Sequence, residues 1–185
     1  MNKVVFLIGG NQSLRRSRLK GATCLSRHAL IDQATEQIRQ RIGSVVALSR
    51  VYETEPWGEF EVKSGKWKVE NFLNRGLLVE TTLSPWQVLR TALDIEKDLG
   101  RERTLNGPND PKALNAAPRL YHSRPMDIDL IFYDDLVVDT PELTLPHPRM
   151  HLRRFVLEPL AEIIPDYRHP VTGRTIRQLC DTLAQ

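Results

Sequence analysis

The sequence predicts an α+β domain, an antiparallel sheet with helices packed on it and extra helices towards the C-terminal end. Three observations carry that prediction. Apolar segments short enough to be strands are interspersed with longer segments of helical spacing, and glycine, proline and polar residues punctuate the joints. The order along the chain is β, α, β, β, α, β, then helices. The first and fourth strands flank two βα crossovers with a hairpin-like pair between them, which is the split βαβ, ferredoxin-like sandwich. Residues 1–185 are expected to form one domain, long enough for a substantial core.

Each element has a local reason. "KVVFLIGGN" (3–11) reads as a buried strand breaking at a Gly-Gly turn. "QSLRRSRLKGATCLS" is polar and basic, with four arginines or lysines between residues 15 and 20, and reads as a solvated loop or helix start. In "SRHALIDQATEQIRQRIG", Ala29, Ile31, Ala34, Ile38 and Ile42 recur at helical spacing, and Gly43 is the expected C-cap. "SVVALSRVYETEPWG" is a second strand ended by Pro56 and Gly58, and the charged residues 59–70 read as a mobile loop. "NFLNRGLLVETT" is a third strand. Ser84 and Pro85 then start a helix whose apolar side is Val88, Leu89, Ala92, Leu93, Ile95 and Leu99, closed by Gly100. Residues 104–123 hold three prolines, a glycine and three asparagines, and a loop of this length in a compact domain is usually functional or disordered. "PMDIDLIFYDDLVVD" reads as a strand with a short hairpin through Asp134 and Asp135. "LPHPRMHLRRFVLEPLAEIIPD" begins extended and becomes helical, and "TIRQLCDTLA" is a final short helix.

Composition narrows the function classes. At 41% hydrophobic and 26% charged residues the chain is ordinary for a globular protein. A net charge of +3 and a pI near 9.0 favour an anionic partner without selecting one. Cys24 and Cys180 stand far apart, so no disulfide framework or zinc site is indicated. The apolar run at residues 4–8 is too short for a membrane span and no small-residue cleavage site follows it, so a cytoplasmic location is expected, with no membrane partner.

Asp127 and Asp129 interrupt an apolar strand. By alternation Met126, Ile128, Leu130 and Phe132 fill one face, and the two carboxylates stand side by side on the other. That arrangement costs energy unless solvent, an arginine or a cation compensates. Arg101 and Arg103 follow a helix end, where they complement its dipole, but they also open the long loop that Arg124 closes. Guanidinium groups brought together in this way grip polyphosphates. His147 and His151 are four apart, yet Pro148 between them argues against a regular helical metal site; with Arg149, Arg153, Arg154 and Phe155 they make a basic, aromatic surface. Carboxylates favour Mg²⁺, and Mg²⁺ with arginine stabilises a transferring phosphoryl group. Neither a P-loop nor a dinucleotide fingerprint is present.

Five segments in order, "SRVYETEPWG", "NFLNRGLLVET", "EKDLGRER", "RPMDIDLIFYDD" and "LPHPRMHLRRFVLEPLAEI", together with "FLIGGN" near the start, resemble the 6-hydroxymethyl-7,8-dihydropterin pyrophosphokinases of folate biosynthesis. The resemblance implies a ferredoxin-like fold with extra helices. It also implies transfer of pyrophosphate from ATP to the pterin hydroxymethyl group with release of AMP. By the same resemblance Asp127 and Asp129 hold two Mg²⁺ ions, and Arg101, Arg103 and Arg124 stabilise the phosphates. Glu96, Leu130, Thr144, His147 and Arg153 match the ATP site. Thr54, Trp57, Phe72, Asn74 and Phe155 match the pterin site, where the paired donor and acceptor of Asn74 suit the heterocycle. The loops at 59–70 and 104–123 match segments that close over the substrates and exclude water. Whether another folate-pathway enzyme docks on the basic surface is left open.

The chain departs from the family pattern at Gly10, where serine is usual, and at Leu120 and Tyr121-His122-Ser123, where a basic residue and an aromatic-glycine run are common. The rival readings are weaker. An RNA-binding module would carry an aromatic-rich motif that "NFLNRGLLVET" lacks, so no nucleic-acid partner is expected. An inactive homologue is disfavoured by the intact Asp127, Asp129, Arg101 and Asn74. A metal-dependent nuclease would be recognised by Mg²⁺-dependent cutting of DNA or RNA.

Overall fold

The computed structural model describes residues 1–16, 23–56, 70–101 and 123–183. Strands β1 (Asn2–Gly10), β2 (Leu14–Arg16) and β3 (Thr23–Leu25) precede helix α1 (Arg27–Arg41), followed by β4 (Ser44–Leu48), β5 (Tyr52–Thr54) and β6 (Phe72–Thr81). Helix α2 (Pro85–Asp98) leads to β7 (Asp127–Tyr133), β8 (Val138–Asp139) and β9 (Thr144–Leu145), and the chain finishes with a 3₁₀ turn at Met150–Leu152, α3 (Arg154–Ile163) and α4 (Ile176–Thr182). The main sheet runs β4-β6-β1-β7, with β5 also paired to β6, and every neighbouring pair is antiparallel. The ferredoxin-like reading holds: two right-sized crossovers through α1 and α2 interleave four strands in the split order.

β1 is apolar on both faces because both are covered. Val4, Phe6 and Ile8 join the cluster made with α1 and α2, whereas Val5 and Leu7 join the one made with α3 and α4. At about 25 cal/mol per Å² of apolar surface, a strand buried on both sides contributes to the core from each face. Ser26 caps α1, and Ser84 with Gln87 forms a full capping box on α2.

Several sequence expectations are corrected. Gly9 and Gly10 do not turn; both are paired within β1, opposite Asn74 and Leu73. The basic segment after them is neither loop nor helix start at its ends but a two-stranded ladder, because Leu14 and Leu25 face each other and pack on the core. Gly43 is not a left-handed cap: Ile42 caps α1, and a Cβ at Gly43 would lie 2.1 Å from the Glu80 carbonyl, so glycine is needed for close approach to β6. The second strand is two, β4 and β5. At the break, buried Ser49 exchanges backbone and side-chain hydrogen bonds with Gly76, which bends the chain while keeping it on β6. The chain does turn at Asp134 (φ 41°), but β8 returns to pair with β9 rather than with β7.

Candidate active site

The carboxylate pair sits where the alternation of β7 puts it. Asp129 is opposite Leu7 and Asp127 is opposite Gly9, so both lie on the α3 face, beyond the apolar cluster. Alternation then fails in an informative way. Phe6 pairs with Leu130 and Val5 with Phe132, leaving Ile131 as an extra residue. This bulge carries Phe132 to the α3 face, away from Met126, Ile128 and Leu130. It also leaves the Ile131 carbonyl on the open edge of β7, where it accepts the His147 amide at 3.0 Å. The bulge thereby ties His147 to the strand that carries the aspartates.

Arg101 is positioned by the end of α2. Gly100 adopts φ +89°, its N–H donates to Lys97, and the Arg101 N–H reaches back to the Glu96 carbonyl, the two bonds of a Schellman motif. The Arg101 side chain then donates to Glu96 Oε1 at 2.5 Å and pairs with Asp127 Oδ1. Glu96 is only 1% exposed, and the same Oε1 accepts the Ile128 N–H at 2.8 Å. Burial works against the charge on Arg101, but Asp127 and Glu96 outweigh it and raise its pKa. Arg124 closes the other side, with its guanidinium 3.0 Å from Asp127 Oδ2.

A residue that the sequence reading passed over holds Arg124 in place. Asn11, 1% exposed, accepts the Arg124 N–H at 2.9 Å and donates to the Glu70 carbonyl and to Ser123 Oγ. Its own N–H and that of Gln12 donate to the Arg124 carbonyl. The departure at Gly10 has a steric reason in this chain: a Cβ there would lie 2.2 Å from the Pro125 carbonyl. The signal in the sequence was an asparagine directly after the buried run Val4–Gly10, a position where a buried amide needs partners.

The β6 side of the site, across β1 from the carboxylates, is neutral. Asn74, buried, donates to Thr54 Oγ1 at 2.9 Å, and its Oδ1 stands beside Gly9. Phe72 and Thr54 are paired on the same face, and Arg124 lies over the Phe72 ring at 6.0 Å. Asn74 and Asp127 are opposite the same residue, Gly9, from either side, and are therefore about 10 Å apart across β1. At the start of α3, Arg153 lies 5.7 Å from the Phe155 ring. Thr144, on β9, gives its hydroxyl to Asp139 at 2.9 Å. Leu130 is buried on the opposite face, in the cluster with α1 and α2, and is not brought together with the carboxylates. Arg103, Trp57, Leu120, Tyr121 and His122 lie outside the described residues.

Two ionisable groups depart from their ordinary behaviour. Burial and the neighbouring Asp127 push Asp129 up to about 7, against the opposing influence of Arg124 and Arg153. Burial, reinforced by Arg153, brings His147 down to about 4, and its Nδ1 accepts the Arg149 N–H. A raised Asp129 marks a place where negative charge is short of compensation, and hard oxygen donors of this kind suit Mg²⁺. Among the described residues no group of three or more metal-ligating side chains gathers. The pair fits a Mg²⁺ site completed by substrate phosphates and water, the usual manner for that ion.

The protein family described as 7,8-dihydro-6-hydroxymethylpterin-pyrophosphokinase matches residues 19–165. The chain belongs to this family. It is 38% identical over 151 residues to the 2-amino-4-hydroxy-6-hydroxymethyldihydropteridine pyrophosphokinase of Porphyromonas gingivalis, which covers 81% of this chain and 90% of that protein. With the enzyme of the same name from Bacillus subtilis it shares 31% identity over 176 residues, 94% of this chain and 85% of the relative. Among solved structures, the wild-type HPPK-DHPS of Plasmodium falciparum superposes with a TM-score of 0.68 at 16% identity, covering 98% of this chain and 43% of that longer one. That likeness bears on the fold. Family membership makes the chain a pyrophosphokinase of folate biosynthesis.

Proposed function

We infer that the cleft transfers the terminal pyrophosphoryl group of ATP to the hydroxymethyl oxygen of 6-hydroxymethyl-7,8-dihydropterin. The oxygen attacks the β-phosphorus, the bond to the α-phosphate oxygen breaks, AMP leaves, and the hydroxyl proton is lost to solvent. One observation carries this reading: a carboxylate pair framed by two arginines and a buried amide framed by an aromatic ring flank a single glycine, Gly9. A glycine there leaves the floor of the cleft without a side chain.

Asn74 reads the pterin edge through its donor and acceptor, with Thr54 fixing the amide and Phe72, Phe155 and Trp57 packing on the ring. Arg101, Arg103 and Arg124 hold the phosphates, and Thr144, His147 and Arg153 take the remaining nucleotide contacts. Glu96 serves the ATP side by anchoring Arg101, and Leu130 is carried over to that side from the family pattern although it is buried behind β7. Two Mg²⁺ ions on Asp127 and Asp129 would supply charge neutralisation along the triphosphate and align it for in-line attack. The rest is positioning, which suits a reaction whose partners need alignment more than covalent help.

Residues 1–185 are read as one pyrophosphokinase domain. No described helix is long and apolar enough to cross a membrane, and a cytoplasmic location is part of this proposal. So is docking with a further folate-pathway enzyme, a proposal suggested by the joined HPPK-DHPS of Plasmodium falciparum. The test is AMP release from ATP and Mg²⁺ with and without the pterin. Pterin-dependent AMP is the expected result; ADP in its place would mean attack at the γ-phosphorus and an ordinary kinase.

A further inference from the structure

We propose that Arg101 is a resident counter-cation for Asp127, which keeps free divalent metal off the carboxylate pair until a polyphosphate draws the guanidinium away, and that Glu96 is the positioning residue on which Arg101 pivots. The inference rests on the pyrophosphokinase reading of the cleft.

Both oxygens of Asp127 are engaged by guanidinium groups, Oδ1 by Arg101 and Oδ2 by Arg124. A metal ion approaching this carboxylate meets two positive charges within ion-pair distance and has to displace at least one of them. The two arginines are not equivalent in how they are held. Arg124 is fixed through its backbone, which is bonded to Asn11 on both its N–H and its carbonyl. The backbone of Arg101 is locked into the Schellman end of α2, but its side chain is shared between Asp127 and Glu96. If Arg101 leaves Asp127 it still has Glu96, so it stays in the cleft. Glu96 itself cannot follow it, because the Ile128 N–H, next in sequence to Asp127, holds the same oxygen.

A triphosphate offers the planar guanidinium of Arg101 a pair of phosphate oxygens, a bidentate anion, in exchange for one oxygen of Asp127. The exchange conserves charge at each step: as the guanidinium moves to phosphate, a carboxylate oxygen is released for the metal that arrives with the nucleotide. Metal entry and delivery of Arg101 to the phosphates then become one event. Without such a device, two neighbouring carboxylates would collect divalent metal in the absence of substrate.

The test is Mn²⁺ binding, followed by electron paramagnetic resonance, to nucleotide-free protein. Wild type should bind weakly, and Arg101→Gln about tenfold or more tightly, the effect of removing one positive charge beside a carboxylate. The double variant Glu96→Gln/Arg101→Gln guards against a fold disturbed by a buried carboxylate that has lost its guanidinium, and also against Glu96 itself becoming the new ligand. It should show the same gain, and adding Asp127→Asn should abolish it. In the presence of ATP the advantage of the variants should vanish. No gain in either variant with a native circular dichroism spectrum overturns the proposal, as does a gain that survives Asp127→Asn. Failure of wild type to release AMP would instead overturn the functional reading and leave the Mn²⁺ comparison standing.

Discussion

At the β7 end of the cleft, Asp127, Arg101, Arg124 and Glu96 are charged and already bonded to one another; at the β6 end, Asn74, Thr54 and Phe72 are neutral, and Asn74 is oriented by one bond to Thr54. The difference follows from what each end can hold still without a ligand. An amide in a buried position needs only one good hydrogen bond to fix its plane, and its remaining polar atom is left aimed at the cleft. A buried carboxylate cannot wait uncompensated, since desolvating a lone charge costs several kcal/mol or more. The neutral end is therefore preformed, and the charged end has to exchange partners in order to work.

The largest consequence falls on the carboxylates. Asp127→Ala and Asp129→Ala should each lower pterin-dependent AMP release by about 10³-fold or more, while calorimetry should show the pterin bound as before. Loss of pterin binding in both variants would erase the distinction between the two ends. Next is Glu96. Glu96→Ala removes the anchor of Arg101 and leaves the Ile128 N–H unpaired, so the urea midpoint should fall by the equivalent of about 3 kcal/mol. An exposed ion pair would move it by less than about 1 kcal/mol. Asn74→Ala touches the neutral end alone. The dissociation constant for the pterin should rise about 10- to 100-fold through one unpaired buried group, with kcat close to that of wild type when the pterin saturates. A fall in kcat with unchanged affinity would mean that Asn74 acts on the chemical step.

How much of this was visible in the sequence depends on whether a feature is periodic. The split order of strands and helices, the Ser84 cap and the placing of Asp127 and Asp129 on one face all follow from local spacing, and the structure keeps them. The bulge at Ile131 was invisible, because every residue from Ile128 to Phe132 except Asp129 is apolar and no polar residue marks the slip. Gly10 and Gly43 were read as turn or cap, the common uses of glycine, whereas each is required by a backbone carbonyl arriving from far along the chain. Asn11 was missed for the same reason: its partners are Glu70, Ser123 and Arg124, and no local pattern announces contacts at that separation. The charged end was legible as a list of residues, but not as a set of existing ion pairs, since pairing depends on where α2 ends relative to β7.

The smallest expected effect concerns His147, which joins the charged end through the Ile131 carbonyl yet is kept uncharged. Burial and Arg153 lower its pKa to about 4, below the value of about 6.5 expected in the unfolded chain. Between those values the unfolded chain binds the proton and the folded one does not, so this histidine makes the fold more stable as pH rises from about 4 to about 6.5 and less stable as pH falls through that window. Asp129 slopes the other way: with its pKa raised to about 7, the folded metal-free protein holds a proton that the unfolded chain has released, and stability is lost as pH rises towards 7. The two contributions oppose each other, which is why wild type alone is a poor reporter. His147→Gln should remove only the first, leaving a variant that loses less stability than wild type on going from pH 6.5 to pH 4, by about 2 kcal/mol. The direct check is the imidazole titration by NMR: a His147 resonance that is still neutral at pH 5 in the metal-free protein supports a histidine held ready as a neutral nucleotide contact. A midpoint near 6.5 would place it with the charged groups of that end.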